Sequence, residues 1–412
     1  MRTVTRALTQ VGFEELDEKQ SWQLRLQRGG KYFFTRNRSS IVAFTVGGHY
    51  SPGNRFKIVG AHTDSPNLRI KPNSKKAASH GLSQLSVETY GGGLWHTWFD
   101  RDLSVAGRVL IRQNTTQGNS RFVHQLVHID RPMLHIPNLC IHLRTQEERD
   151  AFKVNKEDHL VPILCEEVKN ALTTKGDNQQ EKSDAEVLDT WSANQSSDLL
   201  EILAAELECD VKDISDFELS LYDTQKAAHG GARNEFLSSS RLDNLASCFI
   251  AMEAIVDHAS SSLETDADVS MVALFDHEEV GSDSYQGAGS TLMRDAVVRI
   301  SGALHPQSHS QAETFRAAIA KSLVLSVDMA HAIHPNYAAK HEANHAPRLN
   351  GGIVIKSNSN QRYATNGLTS FFIRELAKRD KVPVQNFVVR NDCPCGSTIG
   401  PMYVQTTSFQ RY

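Results

Sequence analysis

The chain has 412 residues, a formal net charge of −4 and 40% hydrophobic residues. This length predicts two domains, and the weakly acidic balance gives no basic footprint for nucleic acid. No apolar run approaches the ~20 residues that cross a bilayer, and the first residues lack the apolar region of a secretory signal. The six scattered cysteines are typical of reduced thiols in a cytosolic protein. We therefore expect a cytoplasmic protein that binds neither membranes nor nucleic acid.

The order of predicted elements indicates one domain that is interrupted by another. Strands dominate residues 1–74, a different texture follows at 75–216, and strands then alternate with helices over 217–412, which predicts a largely parallel α/β sheet. Because both outer parts supply metal-type ligands, we predict that they form one domain with an insertion at 75–216. The individual predictions are strands at 31–35, 40–46, 56–60, 105–112, 121–130, 218–221, 269–275 and 323–327, and helices at 199–207, 244–258, 290–300 and 368–379.

Two adjacent carboxylates, Glu278 and Glu279, come directly after the apolar run 269–275. Charges that leave a buried strand are costly unless something compensates them, and a metal ion is one compensator. Ligands at the ends of several strands are how an α/β sheet assembles a site from distant residues. A single carboxylate of this kind more often forms a salt bridge or caps a turn, but three further segments carry potential ligands: 60–66 with His62 and Asp64, 241–244 with Asp243, and 326–331 with Asp328.

The residue types in these segments suit zinc, which accepts histidine nitrogen and carboxylate oxygen and keeps an open position in catalytic sites. His62 is an imidazole ligand candidate. Asp243 could bridge two metal ions, with Asp328 and Glu279 each completing one side. Glu278 would then be free to act as the general base on a water molecule.

Two supporting roles follow from position in the chain. Asp64, two residues after His62, could orient the second imidazole nitrogen. A basic cluster further on is either an idle, solvated surface or part of a substrate site, in which a lysine binds an acidic side chain and a histidine stabilises an oxyanion. The residues of this cluster are His331, His334, His341, His345, Lys340, Arg348 and Lys356.

With these segments assembled, the chain resembles the aspartyl aminopeptidases, a family of dinuclear zinc exopeptidases. The resemblance extends from Gly12 to about Pro401, and its motifs are together highly specific. They are Ala61–Pro66, Val87–Gly93, Trp98–Leu103, Arg241–Asn244, Glu278–Ser282, Asp328–His331 and Asn391–Gly396.

The resemblance implies a metallo-exopeptidase sheet with helices on both faces and an inserted, β-rich dimerisation domain. It also implies two zinc ions per chain, with Asp243 as the bridging carboxylate and with Asp243–Asn244 as a cis peptide. Glu278 matches the general base and Asp64 matches the residue that orients the histidine ligand. The positions that match metal ligands are His62, Asp243, Glu279 and Asp328.

Substrate and assembly are implied in the same way. Lys356 and Tyr363 match positions in the substrate pocket, and His331 lies where a histidine that contacts the substrate is expected. His142 matches a histidine that the inserted domain delivers to a neighbouring subunit's site. Members of the family use a zinc-activated water to remove N-terminal Asp or Glu from peptides, and they assemble as dodecamers.

The chain also departs from the family at both ends. The chain begins later than members of the family do. No histidine follows His345, whereas the family ends with a further metal-binding histidine. We therefore expect a second metal site without its last ligand, and apolar surface where a terminal helix would lie. Two alternatives stay open: a catalytically weak or inactive truncated isoform that acts only through its assembly interfaces, and a related dinuclear hydrolase of small amino-acid derivatives.

Overall fold

A computed structural model describes residues 1–114, 120–167, 190–305 and 311–402 of the chain. The chain divides into two compact units. Unit 1 combines Met1–Ser65 with the chain from Arg241 onward, and unit 2 is Pro66–Ser240. Residues 403–412 lie outside the described residues.

The described strands and helices follow in chain order. The strands are β1 Glu14–Glu15, β2 Lys31–Arg36, β3 Ser40–Val46, β4 Phe56–His62, β5 Asn67–Lys75, β6 Leu82–Tyr90, β7 Leu103–Asn114, β8 Ser120–His128, β9 Ile163–Glu166, β10 Ile214–Asp223, β11 Ala228–Gly230, β12 Phe236–Ser238, β13 Val269–Phe275, β14 Leu323–Ser326, β15 Ile353–Lys356 and β16 Val384–Phe387. The helices are α1 Arg2–Gln10, α2 Gln146–Asp150, α3 Thr190–Ala193, α4 Ser197–Leu207, α5 Leu242–Ser261, α6 Leu292–Ala303, α7 Gln311–Lys321 and α8 Gly367–Arg379.

Unit 1 is built on a six-stranded sheet with the order β1-β2-β3-β13-β4-β14. Side chains alternate between the two faces of a strand, and here both faces are apolar because helices cover both. One face packs against α6 and α7, and the other packs against α1 and α5. The predicted α/β sheet with helices on both faces is therefore confirmed. Representative core residues are Phe34, Phe44, Ile58, Met271, Leu292 and Val297 on the first face, and Leu8, Phe33, Val272, Cys248 and Met252 on the second.

Strands β4, β13 and β14 of this sheet run parallel to one another and end at the same edge. Strand β4 pairs in parallel with both β13 and β14, and the register sets His62 opposite Phe275. The backbone pairing continues past the strand ends, since Thr63 N–H donates to the Phe275 carbonyl at 2.7 Å and Val327 N–H donates to the Gly60 carbonyl at 2.8 Å. The chain segments after β4, β13 and β14 therefore leave the sheet side by side.

The start of helix α5, which contains Asp243, is the fourth segment of unit 1 that carries a candidate ligand. Its first residues are irregular: Arg241 has a positive φ of 62°, and the Asp243–Asn244 peptide is cis, as the resemblance implies. Asn244 is completely buried. A second, two-stranded parallel sheet joins β15 to β16, and its register pairs Lys356 with Phe387.

Unit 2 contains a second six-stranded sheet, with the order β8-β7-β10-β5-β6-β9. Its core includes apolar residues of α4, among them Leu199 and Leu203. The boundaries of the unit differ from the predicted 75 and 216, because β5 pairs with β6 and β10 pairs with both β7 and β5. Because of these pairings, the chain from Pro66 onward belongs to unit 2. Within the described residues, no helix combines the length and apolar character needed to cross a membrane.

Candidate active site

The buried side chain of His62, at the end of β4, lies at the centre of a group of carboxylates. Its Nε2 atom lies 3.4 Å from Asp243 Oδ1, 3.7 Å from Asp328 Oδ1 and 4.0 Å from Glu278 Oε2. Burial favours the neutral ring, but the carboxylates of Asp243, Asp328 and Asp64 outweigh burial and raise the pKa of His62. An imidazole surrounded in this way marks a place where positive charge is strongly favoured.

Asp64 connects this histidine to the two adjacent glutamates. The Nδ1 atom of His62 lies 3.1 Å from the Asp64 backbone oxygen and 3.4 Å from its carboxylate. The same carboxylate accepts hydrogen bonds from the backbone N–H groups of Glu278 and Glu279, both at 3.1 Å. The Asp64 carboxylate therefore contacts the imidazole and also holds the glutamate turn.

Glu278 and Glu279 lie on a single turn of 3₁₀ helix, Glu278–Val280, directly after β13. The residues on either side, His277 and Gly281, have positive φ values of 65° and 100°. Burial, followed for Glu279 by the charge of Glu278, raises the pKa of both glutamates to about 7. Each carboxylate therefore lies where the negative charge of its neighbours disfavours ionisation unless a cation is present.

Asp243 and Asp328 differ in their exposure. The Asp243 side chain is 56% exposed, whereas that of Asp328 is 12% exposed. Burial acts to raise the pKa of Asp328, but the bond to His62 and the positive charge of Lys356 outweigh it and lower that pKa. Asp328 is thus an ionised, largely buried carboxylate beside the imidazole.

Among the described residues, two groups of side chains lie close enough to hold a metal ion: His62 with Asp243 and Asp328, and His62 with Glu278 and Glu279. The donor atoms of each group lie within 4.8 Å of one another. Nitrogen from histidine and oxygen from carboxylates are ligands that zinc accepts, so the residues present fit this ion. We call these five residues the ligand cluster.

The sequence-based assignment, which joins Glu279 to Asp243 on a second metal, stays a prediction. In the structure Glu279 groups with His62 and Glu278. The Asp64 carboxylate binds the backbone amides of both glutamates and holds them on one turn beside the imidazole.

The predicted substrate residues meet around Phe387. The His331 ring packs edge-on against Phe387 with centroids 5.0 Å apart, and Tyr363 packs against the same ring at 6.3 Å. Lys356 Nζ lies 5.8 Å from the Tyr363 ring centroid and donates a hydrogen bond of 2.6 Å to the Met329 carbonyl. We call His331, Lys356, Tyr363 and Phe387 the recognition cluster.

Positive charge in and near the recognition cluster acts on His331 within that cluster and on Asp328 of the ligand cluster. Burial lowers the pKa of His331, and the positive charges of His341 and Lys356 lower it further. His331 is therefore favoured as a neutral imidazole. Lys356, whose charge also acts on Asp328, supplies the cation of this cluster.

The other histidines of the basic segment have local partners. The His334 ring packs against Tyr337 at 4.9 Å, and His345 bonds to Glu342. His142, in contrast, lies in unit 2 on the short exposed helix Ile141–Leu143. Sequence reasoning missed Phe387; the pairing of β15 with β16, which sets it beside Lys356, comes from two short strands without a clear pattern.

Comparisons with known proteins identify the family. Residues 1–410 match the family described as aminopeptidase I zinc metalloprotease (M18). The chain belongs to this family. A probable aspartyl aminopeptidase of Ricinus communis is 49% identical over 408 residues, which cover 96% of this chain and 82% of the relative. An aspartyl aminopeptidase of Dictyostelium discoideum is 47% identical over 404 residues, with the same shares of both chains covered.

Solved structures agree with the sequence comparison. A chain in the cryo-EM structure of the Ape4 and Nbr1 complex matches with a TM-score of 0.90 and 42% identity, over 99% of this chain and 75% of that chain. The structure of the S. cerevisiae mApe1 dodecamer matches with a TM-score of 0.82 and 28% identity, over 99% of this chain and 84% of that chain. The recognised family is thereby confirmed, and the protein is a zinc metallopeptidase of the aminopeptidase type. Neither the related hydrolase nor the non-catalytic subunit is favoured by these matches.

Proposed function

We propose that this aminopeptidase removes N-terminal Asp or Glu from peptides. The main observation behind this proposal is the ligand cluster. Its four carboxylates surround the buried imidazole of His62, and the positive charge of Lys356 acts on one of them, Asp328. Relatives that are 45–49% identical bear the name aspartyl aminopeptidase, which supports the acidic selectivity.

We assign two zinc ions to the site, which His62, Asp243, Glu279 and Asp328 would hold, with Asp243 as the ligand that both ions would share. Excess negative charge supports this assignment, because carboxylates this close together are stabilised by a divalent cation. When bound, zinc supplies Lewis-acid polarisation of a carbonyl and makes water more acidic.

Glu278 accepts the proton of the attacking water. Its carboxylate lies 4.0 Å from the Nε2 atom of His62, beside the candidate ligands, which supports this role, since a general base must lie within reach of the proton that it accepts. Asp64 supports the same step, because its carboxylate holds the Glu278 backbone amide and contacts the ring of His62.

The recognition cluster binds the substrate's first residue. Lys356 forms a charge-assisted hydrogen bond to the acidic side chain, a bond that a neutral side chain cannot make. Tyr363, buried beside Lys356, forms a wall of this pocket, and neutral His331 donates to the oxygen on which negative charge develops.

We also propose that the protein forms a homo-oligomer and is located in the cytoplasm. We assign unit 2 to dimerisation and His142 to the site of a neighbouring subunit within a homo-oligomer. The dodecamer of the related mApe1 supports an assembly of that size. Cys140, Cys209, Cys248, Cys393 and Cys395 are free thiols, which supports a reducing, cytoplasmic location.

Metal analysis combined with a substrate panel tests the proposal. Purified protein is assayed for zinc and for turnover of Asp-, Glu-, Ala- and Leu-aminoacyl substrates, before and after treatment with a chelator. We expect bound zinc, faster turnover of Asp and Glu substrates, and loss of turnover on chelation that zinc restores. Turnover that survives complete zinc removal would overturn the assignment of the site.

A further inference from the structure

Three side chains donate hydrogen bonds to backbone carbonyls beside the candidate zinc ligands. They are Ser65, Asn244 and Cys248, and we call them the ligand brace. The acceptors, in the same order, are the carbonyls of Asp243 at 2.8 Å, Val327 at 3.0 Å and His62 at 2.9 Å.

Each bond joins two different segments of unit 1. Ser65 lies in the loop after β4 and binds the start of α5, whereas Cys248 of α5 binds back to the end of β4. Asn244, also of α5, binds the carbonyl that directly precedes Asp328. The brace therefore links all three segments that supply the first metal group, but its bonds reach backbone atoms and leave the ligand atoms free.

The burial of Asn244 indicates that its hydrogen bond to the Val327 carbonyl is important at this position. The residue is 0% exposed, and within the described part of the chain its Oδ1 atom has no hydrogen-bond partner. A buried polar atom without a partner is destabilising, and an apolar side chain of similar size would avoid that cost. The feature that such a side chain could not supply is the bond from Nδ2 to the Val327 carbonyl.

We propose that Ser65 and Asn244 are positioning residues that set the zinc affinity of the group formed by His62, Asp243 and Asp328. They act by holding the three backbone segments at the spacing that the ion requires. The inference deepens the proposed function and rests on its zinc site. Partners that orient metal ligands typically contribute about 10- to 100-fold to metal affinity, so the effect is large enough to measure.

Zinc titration of the full, metal-free chain against a chromophoric chelator tests this role. Ser65→Ala removes one hydroxyl from a partly exposed side chain, and Ser65→Thr keeps the hydroxyl. We expect the alanine variant to bind zinc about 10- to 100-fold more weakly and the threonine variant to recover most of that loss. Asn244→Ala should weaken zinc binding in the same range.

Asn366→Ala is the matched control. The Asn366 side chain caps α8 by accepting hydrogen bonds from Leu368 and Thr369, so its loss weakens the same unit without touching a ligand segment. Thermal unfolding of the metal-free variants reports that structural effect separately. We expect Asn366→Ala to lower the melting temperature and to leave zinc affinity unchanged.

Two results would overturn the inference: unchanged zinc affinity in Ser65→Ala, or an equal loss of affinity in Asn366→Ala. If Asn244→Ala does not fold, the pair of Ser65 variants decides the question alone. Failure of the brace leaves the unmodified chain with its zinc and activity, whereas failure of the proposed function appears as an unmodified chain that binds no zinc. The two failures are therefore distinguishable.

Discussion

The ligand cluster and the recognition cluster lie in the same unit but are held in different ways. Backbone hydrogen bonds position the ligand cluster: paired strands end beside His62, and Asp64 binds the backbone amides of Glu278 and Glu279. In the recognition cluster, strand pairing sets only Lys356 beside Phe387, whereas His331 and Tyr363 contact Phe387 through their side chains.

This difference separates two kinds of defect. A substitution in the ligand cluster should change zinc content or turnover for every substrate, because the proposed metal ligands and the proposed base lie together at the sheet edge. A substitution in the recognition cluster should change the preference among substrates and leave zinc bound. The two clusters should therefore respond separately to substitution.

The largest effect is expected for Glu278→Gln. The amide keeps the shape of the side chain but cannot accept a proton, and the loss of a general base typically costs about 10²- to 10⁴-fold in rate. Zinc content should stay at the unmodified level. Steady-state turnover and metal analysis measure the two quantities.

Glu253→Gln, on the exposed side of α5, is the control and should behave like the unmodified chain. Loss of zinc in Glu278→Gln would show that Glu278 is a ligand, as its grouping with His62 and Glu279 allows. Full activity in that variant would remove Glu278 from the chemistry.

A smaller effect is expected for Asp64→Asn. The change weakens the contact with the imidazole and one of the two bonds to the glutamate turn, so zinc affinity should fall about 10- to 100-fold. Chelator competition measures this affinity.

Asp266→Asn is a stringent control. Asp266 lies just before the start of β13, and the glutamate turn that Asp64 holds follows the opposite end of that strand. The Asp266 carboxylate bonds to Lys57 at 2.8 Å. We expect that control to change stability alone. Equal zinc loss in both variants would mean that the affinity reflects the stability of the sheet rather than the position of Asp64.

Three of the four segments of the ligand cluster follow apolar runs that end at the same sheet edge, whereas Asp243 opens α5, so the sequence could predict that these side chains lie close together. Strands β3 and β13 were predicted with their observed bounds, and both are buried almost throughout. The pattern is clear there because a central strand covered on both faces is continuously apolar.

Other elements could not be predicted in the same way. The sequence of β5 contains Pro72 and several polar residues, and only alternate positions in its first half are buried, so its pattern resembles a loop. Helix α7 and strands β15 and β16 were also missed. The two strands have four residues each, and their parallel pairing depends on tertiary structure that local periodicity does not encode.

Lys356→Ala tests the recognition cluster directly. A hydrogen bond to a charged group contributes about 1.5–3 kcal/mol, so the preference for Asp over Leu substrates should fall about 10- to 100-fold. Zinc content should not change. Lys340→Ala, at an exposed lysine of the same basic segment, should keep the preference. Equal turnover of Asp and Leu substrates by the unmodified chain would contradict the assignment of Lys356.

The smallest effect is expected for Phe387→Leu, which keeps an apolar side chain but removes the ring that His331 and Tyr363 contact. Contacts of aromatic pairs contribute about 0.5–1.5 kcal/mol beyond burial, so KM for acidic substrates should rise about 2- to 10-fold, with kcat and zinc content unchanged. Phe371→Leu, at a 55% exposed position of α8, controls for the loss of an aromatic ring elsewhere. A fall in zinc content or a large fall in kcat would show that Phe387 also supports the ligand cluster. In that case the two clusters would not be separable, because the packing around Phe387 would help to hold Asp328 through the neighbouring Lys356.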